Sequence, residues 1–410
     1  MNHRPLRICM VSNLYPPIPT GSATQCAGLA KALADHDCQV IVITTKSDRS
    51  SPAYETTNGV HVYRLPAIRL PRLGIALNFP WLFLTMLPGN MKRIDTILAR
   101  HEPDIIHLHN HMFDMAFLAV KAARKSQKPL VITIHTMVRH STKFYDFLLV
   151  LFDKFILRKI ILNNSALLIV PERTIFDYVE SYFKVKKPIL IPYGIDQLPS
   201  PVPEKIKALR KKYKLTQGPI ILSIGHLHSI RNRKELIEIL PELVKKFPNI
   251  QVLIVGDVGT RSVEKLGNQL GVSEHIVFTG TIPKSELADH MALGEVEAHW
   301  FDKSHPQQVP GIAAQEAMAA GKVVFSVAKE NVYGEGVLRD WSNIMLIDPE
   351  NPKDLITRIV AILNDGPKRR EIGEQARQTI RSNFSWEIVS EQTIRVYRAV
   401  LSNASVAGFH

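Results

Sequence analysis

One carboxylate in an alanine-rich segment is the residue of this sequence best suited to bind a ligand. Residues 315–321, QEAMAAG, predict a short helix that carries Glu316 near its start and stops at Gly321. A helix start presents unpaired N–H groups and a partial positive charge, which attract anions. Glu316 could therefore bind sugar hydroxyls beside amides that face a phosphate. The alternative is that Glu316 only compensates the helix dipole from the first turn.

Histidines end two of the predicted strands. His107, His109 and His111 alternate along the chain, so we expect them to share one face of an extended strand. Three imidazoles are able to bind zinc, but no carboxylate or cysteine stands at ligand spacing, so we predict no metal and no other cofactor. His135 ends an apolar run and should point into a crevice; alternatively, it bonds to nearby backbone.

Two loops that follow predicted strands could approach a phosphate. The first, residues 13–22, delivers Gly21 to a helix start, where a backbone without a side chain allows close contact. The second begins at Gly225 and contains His226 and Arg231, whose guanidinium group suits bidentate contact with a diphosphate. The alternatives are a glycine that serves helix packing and a solvated basic loop.

These residues need a scaffold, and the spacing of apolar runs predicts one. Apolar runs alternate with amphipathic stretches from residue 8 to residue 134, and the alternation starts again at residue 220, after a proline-rich segment at 196–203. The pattern predicts two doubly wound α/β domains with parallel sheets, with ligands outside the carboxyl ends of the strands. A chain of 410 residues, 45% hydrophobic and 22% charged, agrees with two globular domains.

Charge and cysteine content narrow the possible partners and location. The net charge of +13 is compatible with nucleic acid, anionic lipid or a phosphorylated substrate. The basic residues are spread along the chain without the aromatic pattern of RNA-binding sheets, so we predict no nucleic-acid partner. Cys9, Cys26 and Cys38 lie among apolar neighbours, which favours reduced thiols in the cytoplasm, and the first residues lack a signal-peptide core.

Six short motifs, taken in order, resemble the successive signatures of the retaining glycosyltransferases of family four. They are IPYGID at residues 191–196, the Gly225 loop, VGD at 255–257, VFTG at 277–280, EAMAAG at 316–321 and FSW at 384–386. The resemblance implies the GT-B fold, in which two Rossmann-like domains face each other across a cleft. It implies an acceptor-side domain at residues 1–195 and a nucleotide-sugar domain at 196–385, with a final helix at 386–410 that packs back on the first domain.

The resemblance also implies transfer of a sugar from a nucleotide diphosphate donor to an acceptor hydroxyl, with retention of configuration. It gives a catalytic role to His135, at the donor sugar, to Arg231, at the leaving diphosphate, and to Gln308. Glu316 would hold the ribose hydroxyls. The full donor-binding set that it implies is Gly21, Gly225, His226, Gly311, Ile312 and Glu316.

The sequence departs from the family pattern at two positions. Gln308 replaces the first carboxylate of a paired motif, and His226 replaces the usual arginine. A glutamine forms hydrogen bonds but holds no negative charge, and a histidine is charged only when protonated. Two functions therefore stay open: an active glycosyltransferase, or a catalytically weak or silent relative that binds nucleotide sugar as a partner subunit.

Two apolar segments of the first domain indicate where the protein could meet its acceptor. Residues 74–87 and 144–162 mix apolar and aromatic residues with nearby arginine and lysine, and the first is too short and interrupted to span a bilayer. Both could rest on an anionic membrane and meet a lipid-linked or cell-envelope glycan acceptor. We then expect a cytoplasmic protein at the inner face of the membrane. The alternative is that both are helices with buried faces.

Overall fold

The computed structural model divides the chain into two compact units. The first comprises Met1–Gly194 together with Trp386–His410, and the second comprises Ile195–Ser385. None of the described helices combines the length and the apolarity that crossing a bilayer requires. The described residues are 4–70, 82–140, 142–183 (without the side chains of 181–183), 188–225, 233–257, 261–298, 300, 308–348 and 350–402.

A mostly parallel sheet forms the centre of the first unit. Its described strands are β1 (Arg7–Ser12), β2 (Gln39–Thr45), β3 (Tyr54–Thr57), β4 (Val60–Leu65), β5 (Ile68–Arg69), β6 (Phe83–Leu84), β7 (Ile105–His109), β8 (Leu130–Thr133), β9 (Leu167–Val170) and β10 (Ile189–Leu190). The sheet order is β10-β9-β8-β7-β1-β2-β4-β3, and only the edge pair of β3 with β4 is antiparallel among these described neighbours. β5 and β6 pair separately.

Helices cover both faces of this sheet. They are α1 (Gly21–Asp35), α2 (Asn90–His101), α3 (Met115–Ser126), α4 (Lys143–Phe152), a π-helix (Asp153–Leu157), α5 (Arg158–Ile160), a 3-10 turn (Leu162–Asn164) and α6 (Arg173–Phe183). Successive residues of β1 enter opposite layers: Cys9 and Val11 belong to one apolar cluster, while Ile8 and Met10 belong to the other. Because a strand buried on both faces needs apolar residues at every position, β1 reads as a continuous apolar run.

The second unit repeats this plan with a six-stranded parallel sheet. Its described strands are β11 (Ile220–Ile224), β12 (Gln251–Val255), β13 (Ile276–Gly280), β14 (Val296–Ala298), β15 (Val323–Ser326) and β16 (Met345–Leu346), in the order β13-β12-β11-β14-β15-β16. Its described α-helices are α7 (Pro203–Lys212), α8 (Lys234–Glu238), α9 (Leu240–Lys246), α10 (Ser262–Gln269), α11 (Leu287–Met291), α12 (Ile312–Ala319), α13 (Pro352–Asn364) and α14 (Gly366–Asn383). The prediction of a two-domain α/β fold with parallel sheets is confirmed.

The last described helix, α15 (Trp386–Leu401), belongs to the first unit and packs against α1. The indole ring of Trp386 fills a space that two glycines leave open. A Cβ atom at Gly28 would lie 2.1 Å from one ring carbon, and a Cβ at Gly194 would lie 2.2 Å from another. Gln25 fixes the same place, because its side-chain amide both donates to the carbonyl and accepts from the N–H of Gly194.

Candidate functional site

The start of α12 in the second unit is built to leave backbone amides available. Gly311 is the N-cap residue in an extended conformation, and no described side chain caps the helix. The preceding turn is fixed because the buried Gln315 donates to the hydroxyl of Tyr333 and to the carbonyl of Pro310. Gln315 is also the first residue whose N–H bonds back, to the carbonyl of Gly311 at 3.0 Å. Gly311 and Ile312, both half-buried, therefore present an anion-attracting helix terminus.

Glu316 lies one turn further into α12 than the sequence predicted. The helix begins at Ile312, and its first turn contains no acid, so Glu316 belongs to the second turn. The expectation of a carboxylate at the helix start is wrong because the helix begins directly after the extended Gly311, four residues before Glu316. Compensation of the helix dipole, which acts within the first turn, therefore does not explain Glu316.

The carboxylate of Glu316 is nearly enclosed. Its side chain is only 12% exposed, and among the described residues Lys284 is the cation beside it, with Nζ 3.9 Å from Oε1. Lys284 also binds the carboxylate of Asp196. Burial raises the pKa of the Glu316 carboxyl above its usual value; Lys284 opposes this effect and Asp196 adds to it. The Glu316 carboxyl group therefore lies where desolvation disfavours its charged form.

β11 ends at Ile224, directly before the Gly225 loop. Hydrogen bonds tie the described ends of this loop together. Gly225 has a φ of 133° and donates its N–H to Val255 at 2.8 Å. The guanidinium group of the buried Arg233 donates to Ser223 at 3.0 Å and to the carbonyl of Gly225 at 2.9 Å. Sequence reasoning missed Arg233, because no sequence signal separates a buried arginine from a solvated one in the same loop. His226 and Arg231 lie outside the described residues.

Gln308 is half-buried and lies just before the turn that leads into α12. Gly21 is the first residue of α1 in the first unit and is exposed. The side chain of Thr20 caps that helix by accepting from the N–H of Ala23 at 3.2 Å. One amide of the α1 terminus is thus already bonded, whereas no described side chain caps α12.

Hydrogen bonds connect buried histidines of the first unit to nearby tyrosine and threonine side chains. His107 bonds to Tyr397 at 2.6 Å through Nδ1 and to Thr133 at 2.7 Å through Nε2. His109 Nδ1 lies 3.0 Å from Nε2 of His135. His135 Nδ1 in turn lies 2.9 Å from the hydroxyl of Tyr193. In this conformation both ring nitrogens of His135 bond to side chains of the same unit rather than to nearby backbone.

These imidazoles are neutral. Burial lowers the pKa of His107 and of His135 to about 3, with a smaller contribution from another histidine in each case. Burial also lowers the pKa of His109 well below its ordinary value, followed by repulsion from His107 and His135. A neutral ring carries one N–H, so each contact in the chain requires one donor and one acceptor.

The hydrogen-bond partners select one arrangement of protons. The hydroxyl of Tyr193 lies 3.4 Å from the carbonyl oxygen of His135, to which it can donate while it accepts from Nδ1–H of His135. Nε2 of His135 then accepts from Nδ1–H of His109. Within the described residues Nε2 of His109 has no hydrogen-bond partner, and in this arrangement it is a lone pair rather than a buried N–H. It lines a cavity of about 30 Å³.

The third histidine of the alternating run does not join this chain. β7 ends at His109, and Asn110 takes the left-handed conformation with a φ of 70°. The prediction that three histidines share one face is therefore wrong for His111, which turns away and lies 3.3 Å from the buried carboxylate of Asp153. Among the described residues, no three His, Cys, Asp or Glu side chains are arranged to hold a metal ion.

Two α/β units, each with a mainly parallel sheet, match the GT-B fold of solved glycosyltransferases. The chain superposes on sucrose-phosphate synthase from Thermosynechococcus elongatus with a TM-score of 0.72 and 21% identity, over 97% of this chain and all of that one. Anabaena HepE, solved in complex with UDP, gives a TM-score of 0.69 and 17% identity, over 96% of this chain and 100% of that one.

Residues 19–197 match the model of glycosyltransferase family 4, and residues 205–379 match that of the glycosyl transferases group 1. The chain is therefore a glycosyltransferase whose first part matches family 4 and whose second part matches group 1. It is 26% identical to an uncharacterized glycosyltransferase of Methanocaldococcus jannaschii, over 97% of this chain and 99% of that protein. It is also 26% identical to the phosphatidyl-myo-inositol mannosyltransferase of Mycobacterium tuberculosis, over 98% of both. The alpha-monoglucosyldiacylglycerol synthase of Acholeplasma laidlawii is 24% identical over 77% of this chain and 78% of that protein.

Proposed function

We propose that this glycosyltransferase moves a sugar from a nucleoside diphosphate sugar to an acceptor hydroxyl and retains the anomeric configuration. The observation that carries the proposal is the start of α12, where no side chain of the described residues caps the backbone amides and Glu316, only 12% exposed, lies one helical turn away. Amides at a helix start suit a diphosphate, and a carboxylate suits a pair of ribose hydroxyls. That HepE was solved with UDP and with UDP-glucose supports a nucleotide-sugar donor.

Each candidate residue has a place in the proposed donor site. Gly311 and Ile312 face the diphosphate with their N–H groups, and Glu316 accepts from the ribose. Arg231 and His226 lie in the loop that starts at Gly225, and they supply positive charge to the leaving diphosphate. The buried Arg233 fixes both ends of that loop, and Gln308 belongs to the same proposed site in the second unit. In the first unit, Gly21 and His135 are the candidates for contact with the donor.

The proposed reaction is a displacement on the front face of the sugar. The bond between the anomeric carbon and the diphosphate oxygen breaks, and the acceptor oxygen bonds to the same face. The acceptor proton passes to the departing phosphate oxygen, so no protein nucleophile is required. Catalysis then comes from positioning and from charge stabilisation by the loop cations, without a metal ion. Chelation with EDTA should leave the rate of transfer unchanged.

The proposed acceptor is the hydroxyl of a membrane lipid or of a lipid-linked glycan. Two of the relatives have names that contain a lipid: an alpha-monoglucosyldiacylglycerol synthase and a phosphatidyl-myo-inositol mannosyltransferase. Such an acceptor requires the enzyme to work at a membrane surface, and we place it on the cytoplasmic side.

A panel of nucleotide sugars tests the donor proposal. We expect one donor to raise the melting temperature by mass action and to be turned over. Arg231→Ala should lower that turnover about a hundredfold or more, the range found when a charge-stabilising group is removed. Lys211→Ala, at an exposed lysine of the same unit, is the control and should retain full activity. Binding of a donor without any turnover would instead identify a silent partner subunit, and no binding at all would refute the proposal.

A further inference from the structure

An unusual exposed surface runs along one segment of the first unit. Seven large apolar side chains between residues 144 and 160 are 37–64% exposed to solvent. We call this surface the apolar stripe; its residues are Phe144, Phe147, Leu148, Phe152, Phe155, Ile156 and Ile160.

The stripe lies on the outer face of a continuous helical segment. α4, the π-helix and α5 follow one another from Lys143 to Ile160, and the stripe residues recur at intervals of three and four, which places them on one side. The other side packs against the core of the unit: Leu157 belongs to that core, and the partly buried Leu149 packs against it. The stripe is thus additional to the face that holds the segment in place.

Buried polar contacts fix which side faces outward. Asp153, the first residue of the π-helix, is fully buried and accepts from the hydroxyl of Tyr178 on α6. It also lies 3.3 Å from His111, just beyond the end of β7. A carboxylate held from two elements resists rotation of the segment, so the aromatic side chains cannot turn into the core.

The charges around the stripe have one sign. Lys143, Lys154 and Lys159 are exposed. Of the two carboxylates in the segment, Asp153 is buried and Asp146 is paired with Arg139 at 2.8 Å. The surface available to a partner is therefore apolar along its centre and cationic beside it.

We propose that the apolar stripe docks this protein onto a bilayer that contains anionic lipids. An aromatic and aliphatic face flanked by lysines is the pattern of helices that lie in the membrane interface, where rings enter the headgroup region and lysines meet lipid phosphates. The inference extends the proposed function, because docking would bring the enzyme to a lipid acceptor, but it does not depend on the donor chemistry.

Sedimentation with lipid vesicles tests the docking surface. The full chain should bind vesicles of phosphatidylcholine mixed with phosphatidylglycerol and should stay in the supernatant with phosphatidylcholine alone. The double substitution Phe147→Ser with Phe155→Ser should weaken binding at least about tenfold, since both rings would enter the interface. Lys154→Glu with Lys159→Glu should weaken it at least about twentyfold, through loss and reversal of the attraction to anionic lipid.

Matched variants separate docking from a general loss of apolar surface or charge. Leu270→Ser with Leu401→Ser removes two side chains of 37% and 39% exposure from other surfaces, and Lys211→Glu with Lys246→Glu reverses two exposed charges of the second unit. Both control proteins should bind vesicles like the unmodified chain. Because every altered residue is at the surface, melting temperatures should remain close to that of the unmodified chain.

Three outcomes would overturn the inference. The unmodified chain could fail to bind anionic vesicles, or the phenylalanine variant could bind as well as the unmodified chain. Alternatively, sedimentation velocity could show a dimer that the phenylalanine variant dissociates while vesicle binding persists, which would identify the stripe as a contact between two copies. Donor hydrolysis without vesicles reports on the proposed reaction separately and should be equal in all variants.

Discussion

Replacing Glu316 by glutamine should have opposite effects on stability and on ligand binding. The carboxylate is 12% exposed, and burial raises its pKa. For an acid with a raised pKa, the stabilising contribution is complete below the ordinary pKa and is lost as pH rises through the raised value. At neutral pH the charged group therefore destabilises the second unit. Glu316→Gln removes that charge, while Lys284 keeps its contact with Asp196, so the variant should unfold at a higher urea concentration.

The same substitution should weaken the binding of nucleotide. A carboxylate that holds two ribose hydroxyls makes two charge-assisted hydrogen bonds, and a glutamine amide retains one acceptor oxygen. The loss of one such bond corresponds to about 1.5–3 kcal/mol, which is about a 10- to 150-fold increase in Kd. Isothermal titration with UDP measures the affinity, and urea unfolding at pH 7 measures the stability of the same preparations.

Glu264→Gln is the matched control, because Glu264 is an exposed acid in the first turn of α10. A first-turn acid stabilises its helix by about 0.3–1 kcal/mol, so this variant should be slightly less stable and should bind UDP normally. If Glu316→Gln behaves like Glu264→Gln, Glu316 is an ordinary helix residue and the donor site is misplaced. If Glu316→Gln is stabilised but binds UDP with unchanged affinity, Glu316 does not contact the nucleotide.

Three further predictions concern the first unit. Gly28→Ala should destabilise the protein by about 1–3 kcal/mol in urea unfolding, because the new Cβ would lie 2.1 Å from the Trp386 ring. Gly366→Ala is the control, since its nearest new contact is at 3.5 Å. Equal stability of the two variants would contradict the packing argument. Asp153→Ala should lower the free energy of unfolding by about 2–4 kcal/mol, since it removes a buried partner of Tyr178 and His111. Asp146→Ala, at a partly exposed ion pair, should lower it by less than about 1 kcal/mol. Similar losses in the two variants would show that Asp153 does not hold the helical segment in place. As the pH is lowered from 6.5 to about 3, the free energy of unfolding should fall by about 1.4 kcal/mol per pH unit for each of His107 and His135. Their lowered pKa values make the unfolded chain take up protons at a higher pH than the folded protein does. His107→Gln should reduce the slope, and an unchanged slope would mean that His107 is protonated in the folded protein.

Local sequence patterns predicted the elements of this fold well. The apolar run predicted from residue 8 occurs as β1, Arg7–Ser12, and the alternation that starts again at residue 220 does so with β11, Ile220–Ile224. These elements follow from apolar periodicity and from glycine and proline positions, which the chain carries locally. Residues 234–246, between β11 and β12, form two short helices, α8 and α9. Pro241 lies at the beginning of the second, where proline is tolerated.

The site could be predicted less completely, because its geometry depends on single backbone angles and on distant residues. His111 leaves the face of His107 and His109 because of the left-handed φ of Asn110, an angle that asparagine tolerates but does not require. The partners of His107 and His135 include Tyr397 and Tyr193, which are remote in sequence. Periodicity within a segment holds no information about such contacts.

Hydrogen-bond geometry ranks two of the described candidates, His135 after β8 and Glu316 in α12. His135 has both ring nitrogens bonded within its own unit, so contact with a sugar through the imidazole would first break one of these bonds. Glu316 has one cation at 3.9 Å, and an apolar residue at its place would avoid the desolvation that raises its pKa. A carboxylate that weakens its own unit is explained by a ligand that offers hydrogen-bond donors to it. Of the two, Glu316 is therefore the residue whose position the proposed donor would explain, whereas the position of His135 is explained by the network around it.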